Sequence, residues 1–117
     1  MKKLAFAKLR AACTTLPGAT QDIKWGTNVV YSVGQKMFAV TDEESAFFSF
    51  KVDDERFLEL TDRPGIIPAP YLARARWIQI KPDCALTQDE ALALVQRAHA
   101  LIFARLTKKL QQEIRNG

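Results

Sequence analysis

The sequence predicts an α+β fold of two layers, an antiparallel meander sheet with the N- and C-terminal helices packed on one face. Three observations predict it. Residues 22–52 alternate with period two and are interrupted only by very short glycine or polar turns. Both ends of the chain carry apolar residues three and four apart, the spacing of a single helix face. The chain has 117 residues, 48% hydrophobic and 26% charged, which suffices for one core and not for two; residues 1–117 are read as a single domain.

In the first helix Phe6, Leu9, Cys13 and Leu16 form the apolar stripe, while Lys3, Lys8 and Arg10 fall largely off it. It is expected to stop at Leu16-Pro17-Gly18, because proline cannot continue the hydrogen-bond ladder and glycine accepts the left-handed turn. Four strands follow, in DIKWG, NVVYSV, KMFAVT and AFFSFKV, rich in β-branched and aromatic residues. Connections this short make sequential strands antiparallel neighbours. DDERFLEL reads as a short helix capped by aspartate, with Phe57 and Leu60 three residues apart. ARWIQIK is a further strand, placing Ile78 and Ile80 on one face and Trp77, Gln79 and Lys81 on the other. From the capping box of Thr87 and Glu90, one long closing helix is expected through Leu92, Val95, His99, Ile102, Leu106 and Leu110.

GIIPAPYLARARW, residues 65–77, fits neither period. Each proline biases its predecessor toward extended geometry, so 67–71 should run as a stiff connector anchored by burial of Ile66, Ile67 and Tyr71. Two uses are open for it: a strap that holds Arg74 and Arg76 at the edge of the open sheet face, or a purely structural cover for one side of the core.

No apolar run approaches the roughly 20 residues that cross a bilayer, and Lys8 and Arg10 interrupt the N-terminal one, so a cytoplasmic location is expected. Cys13 and Cys84 belong to no metal-ligand or redox pair and are read as reduced thiols. The net charge of +4 is unevenly spread. Residues 1–10 and 63–81 carry cations and no acid, residues 105–115 are mainly basic, and the acids concentrate between 42 and 59. Such asymmetry permits a polyanion partner.

LPGATQDIKWG, VGQKMFAV, SFKV and above all GIIPAPYLARARWIQI resemble, in order, the signature segments of the MmcQ/YjbR-like proteins, over about residues 15–103. The resemblance implies a CyaY-like fold in a bacterial protein. It also implies DNA binding through a double-wing motif, with a wing expected at the hairpin of Gly34, Gln35 and Lys36. The acidic turn TDEESAF departs from the family pattern, and its carboxylates would repel phosphate. The fold is also similar to that of the iron-binding frataxins, which carry an acidic ridge along the first helix. Here that helix has Lys2, Lys3, Lys8 and Arg10 and no carboxylate, so no iron site is carried over.

No catalytic residue, cofactor or metal ligand is assigned. His99 is a lone histidine on an apolar stripe, no nucleophile motif or phosphate loop occurs, and the acids at 53–55 suit a helix N-terminus. The chain is therefore read as non-enzymatic. If Ser49 and Lys51 share a side with Trp77 and Gln79, the open face combines aromatic and basic groups. The expected function is weak, salt-dependent binding of duplex DNA, with Lys24, Lys36, Lys51, Arg74, Arg76 and Lys81 on phosphates and Trp25 or Trp77 stacking. The alternative is a small-molecule-binding module in which Trp25, Tyr71, Trp77 and Lys51 line a pocket under the proline-rich loop 64–75.

Overall fold

Every connection between residues 19 and 51 is too short for a crossover, and the strands pair accordingly. In the computed structural model, which describes residues 3–44 and 46–117, β1 (Ala19–Lys24), β2 (Asn28–Val33), β3 (Lys36–Asp42) and β4 (Phe48–Lys51) form the expected antiparallel meander. Lys2 of the basic N-terminus and Ser45 of the acidic turn lie outside the described residues. β6 (Trp77–Ile80) pairs with β4, and β5 (Ile66–Pro68) pairs with β6, giving the order β1-β2-β3-β4-β6-β5 with every neighbour antiparallel.

The stiff extended connector expected over residues 67–71 is extended only through Pro68, where it pairs as β5, and it turns at residues 69–72. Ile66 lies opposite Ile80 and Pro68 opposite Ile78. Pro68 is tolerated because β5 is the sheet edge, where a missing N–H breaks no second ladder. Burial anchors only Ile66; Ile67 and Tyr71 are exposed.

The helices α1 (Phe6–Thr15) and α3 (Gln88–Phe103) pack against each other and against the sheet, while α2 (Asp54–Thr61) sits by β5 and β6. The core between the layers is aromatic. Phe48 lies at its centre, with ring centroids 5.5 Å from Phe6, 6.5 Å from Tyr31 and 6.4 Å from Phe50. A bulge in the β2–β3 pairing, between Tyr31 and Ser32, lets the successive residues Phe38 and Ala39 both join this core.

Two further expectations are corrected. The closing helix is not continuous: α3 ends at Phe103 and α4 runs over Lys108–Asn116. Polar side chains make the break. The Thr107 hydroxyl accepts from the Leu110 N–H, and the Gln111 amide donates to the carbonyls of Ala104 and Leu106. The turn seats Leu106 and Leu110 on the β2–β3 hairpin at Gly34, where φ is 56° and a Cβ would stand 2.7 Å from Leu106. The second correction concerns Asp53, the N-cap of α2, which makes no side-chain cap bond. Its carboxylate instead accepts from Arg97 Nε and Nη2 at 2.9–3.3 Å, an ion pair that ties α2 to α3.

Candidate functional site

Antiparallel register decides which side chains share the uncovered face. Lys51 lies opposite Trp77 and Ser49 opposite Gln79, so the four occupy one side of the sheet, as the alternation of both strands requires. Only part of this face remains accessible. Residues 69–72 fold back over it, with the Ala69 N–H donating to the Trp77 carbonyl at 3.0 Å. Trp77 is thereby packed with Val30, Val40 and Ala69 and is 4% exposed. It cannot stack on a partner.

Lys51 is 5% exposed, and its Nζ donates to the Ala75 carbonyl. Burial pushes its pKa down, with the Arg105 charge acting in the same direction. Lys51 thus fastens the strap and offers no free cation. Arg76 is also engaged: its guanidinium lies 5.3 Å from the Phe57 ring centroid and its Nε 4.0 Å from Asp54.

The remaining predicted site residues are exposed but stand apart. Lys24 and Trp25 are at the β1–β2 tip, whereas Lys36 opens β3 at the other end of the sheet, with the length of β2 between them. The Gly34 hairpin expected as a wing is seated on Leu106 and Leu110. Arg74 lies on a single 3-10 turn, Ala73–Ala75, and Lys81 follows β6. The Trp25 tip also has acidic company, because the Glu43 N–H donates to the Thr27 carbonyl at 3.2 Å and Asn28 pairs with Asp42. Lys24, Lys36, Lys51, Arg74, Arg76 and Lys81 therefore form no single phosphate-tracking stripe.

What the open face does contain is a cavity of about 510 Å³. Asn28, Met37, Val40, Ser49 and Gln79 line it from the sheet, Phe47 adjoins them, and Ala69, Pro70, Tyr71 and Leu72 of the strap form one wall. Trp25 lines it from the β1–β2 tip. Trp25 and Tyr71 are 67% and 105% exposed, yet both stand in the left-handed region, at φ 52° and 66°. Such conformations cost a non-glycine residue about 1 kcal/mol or more. Of the four non-glycine residues with positive φ among the described residues, the two at this cavity are exposed aromatics; Gln35 and Arg76 lie elsewhere. Of the four residues expected to line a pocket, Trp25 and Tyr71 do so, while Trp77 and Lys51 do not.

Asn28, Met37, Phe47, Ser49 and Gln79 are lining residues that sequence reasoning did not assign to a site. For Ser49 and Gln79 a signal existed, since each is a polar residue alternating with buried apolar ones. Nothing in the sequence marked Asn28 or Phe47.

Other reactive groups have structural partners. His99 Nε2 lies 2.7 Å from the Pro17 carbonyl, with its ring stacked on Phe103 and edge-on to Phe38. Cys13 and Cys84 are free and buried; burial pushes the Cys13 thiol up to about 12, far from a reactive thiolate. Among the described residues no group of three or more His, Cys, Asp or Glu side chains could hold a metal ion, and no helix is long and apolar enough to cross a membrane.

Comparison with known proteins follows the fold. The family described as YjbR matches residues 14–101. A Deinococcus radiodurans protein of domain family DUF419 superposes with a TM-score of 0.84 at 25% identity, over 96% of this chain and 88% of that one. A Pseudomonas syringae protein superposes at 0.68 with 18% identity, over 85% of this chain and 99% of that one, a likeness of fold alone. A search of the curated proteins finds no match.

Proposed function

This chain belongs to the YjbR family, and from that premise we propose that it is a small-molecule-binding module holding a flat ligand on the open face of its sheet. The observation that carries this reading is the cavity of about 510 Å³ between Trp25 and the strap. Its size lies in the range of ligand pockets, and its walls are aromatic and aliphatic with a few polar groups among them. Trp25 and Tyr71, exposed and held in left-handed conformations, are suited to close on a planar ring. The module acts by binding and not by catalysis: His99, Cys13 and Cys84 are buried away from the cavity.

The test is titration of the protein with planar aromatic probes, read by tryptophan fluorescence at about 50 and 200 mM salt. Saturable quenching that is indifferent to salt and lost in Trp25→Ala is expected. Absence of saturable quenching by any planar probe overturns the reading.

A second reading, duplex DNA as a weakly bound partner, draws on four exposed cations with no ion pair among the described residues: Lys24, Lys36, Arg74 and Lys81. Their separation favours loose phosphate contact over a defined site. Anisotropy of a labelled duplex of about 20 base pairs should then weaken several-fold between about 50 and 200 mM salt. No binding at the lower salt removes it.

A further inference from the structure

The chemistry of the cavity walls narrows what it can hold. Among the described residues no lysine, arginine, aspartate, glutamate or histidine lines it. A charged ligand would lose hydration there without gaining a counter-ion, so the occupant is neutral. The polar groups are specific in kind. Ser49 is 4% exposed, and its Oγ donates to Gln79 Oε1 at 3.5 Å across the β4–β6 pair. Among the described residues the Gln79 Nε2 has no protein acceptor and the Ser49 oxygen receives no proton. Together they present a donor group beside an acceptor group. Exchanging the two ends of the Gln79 amide swaps the roles of the partners and leaves the same two kinds of group.

We infer, building on the ligand-binding reading, that the occupant is a neutral planar heterocycle carrying a lactam edge, a ring N–H beside a carbonyl, set against Ser49 and Gln79. The lactam carbonyl accepts from Gln79 Nε2 and the ring N–H donates to Ser49 Oγ. The rings lie over Val40 and extend toward Trp25, with Tyr71 at the side. The heterocycle is a free small molecule and not a base of a polynucleotide. Asp42 and Glu43 flank the Trp25 tip and outnumber Lys24 there, so a phosphate backbone leading out of the cavity would meet net negative charge.

The experiment is calorimetric titration with 2-quinolinone and with 2-methoxyquinoline, which keeps the rings and loses the N–H. The wild-type protein is expected to prefer 2-quinolinone by about tenfold, the worth of one satisfied hydrogen-bonded edge. Gln79→Leu and Ser49→Ala, each checked for folding by circular dichroism, should abolish the preference while retaining 2-methoxyquinoline binding. Equal affinity of the wild type for the two probes overturns the lactam edge and leaves the pocket standing. Binding of neither probe overturns the pocket reading and this inference with it. Displacement of 2-quinolinone by a short oligothymidylate overturns the choice of a free ligand.

Discussion

Beneath α1 and α3, Phe38, Tyr31, Phe48 and Phe50 are wholly buried, each ring neighbouring the next; on the other face of the sheet, Val30, Val40, Ala69 and Trp77 form a much smaller buried cluster. Both faces arise from the same alternation, yet they are finished differently. One is closed by two helices that bring complete apolar stripes. The other is closed by residues 69–72 of the strap, which cover Trp77 and stop short of Trp25. The uncovered remainder is the cavity. A two-layer fold of this size has too little chain to bury both faces, so one is left for solvent or a ligand.

Substitutions at matched positions on the two faces should separate these roles. The largest effect is expected on the helix-covered face. Phe48→Ala should lower stability by about 3–5 kcal/mol, since the ring is surrounded and the cavity cannot collapse; urea denaturation reads it. Trp77→Ala, under the strap, should cost about 3 kcal/mol, at the low end for a buried aromatic because solvent is only one thin layer away. A cost under about 1 kcal/mol would mean that the strap is not fixed in solution.

The hinge of the strap is tested next. Gly65 precedes β5 at φ 82°, and a Cβ there would stand 2.6 Å from Cys84 Cα. Gly65→Ala should therefore destabilise by roughly 1–3 kcal/mol. Faster amide hydrogen exchange confined to residues 66–72 would locate the damage in the strap.

Acid should weaken the fold through its ion pairs and not through either face. Arg97 holds the Asp53 carboxyl below its ordinary range, and Arg56 with Arg63 does the same for Glu59. For Glu90 the Thr87 backbone N–H is the larger cause and Arg63 the smaller. A depressed folded-state value means that the unfolded chain binds protons first. The stabilisation is thus present above the ordinary carboxylate range and lost as pH falls through the folded values. The urea midpoint should be flat from about pH 7 to 5 and drop below about pH 4. Asp53→Asn should flatten part of that drop. The smallest change is expected at Trp25→Ala, within about 0.5 kcal/mol of wild type, because the ring is exposed. Trp25 and Trp77 would then differ severalfold in stability cost though both are tryptophans of one sheet face.

The sequence by itself determined the two layers, five of the six strands and the composition of the core. Period-two and helical spacings are local properties, and burial follows whichever face they make apolar. Alternation along each strand also paired Ser49 with Lys51 and Trp77 with Gln79, but the register between β4 and β6, with Lys51 opposite Trp77, is what puts both pairs on one side. Only the tertiary structure decided which of them remain accessible. The fate of Trp77 and Lys51 depends on a strap whose path is set by contacts twenty or more residues away, from Ala75 to Lys51. The break between α3 and α4 depends likewise on a hairpin glycine that admits Leu106 and Leu110. Charge counts along the chain could not tell that the basic segments separate or that Arg76 and Arg97 are held by partners. Pairing between distant side chains has no periodicity to announce it, and the cavity exists only where that pairing stops.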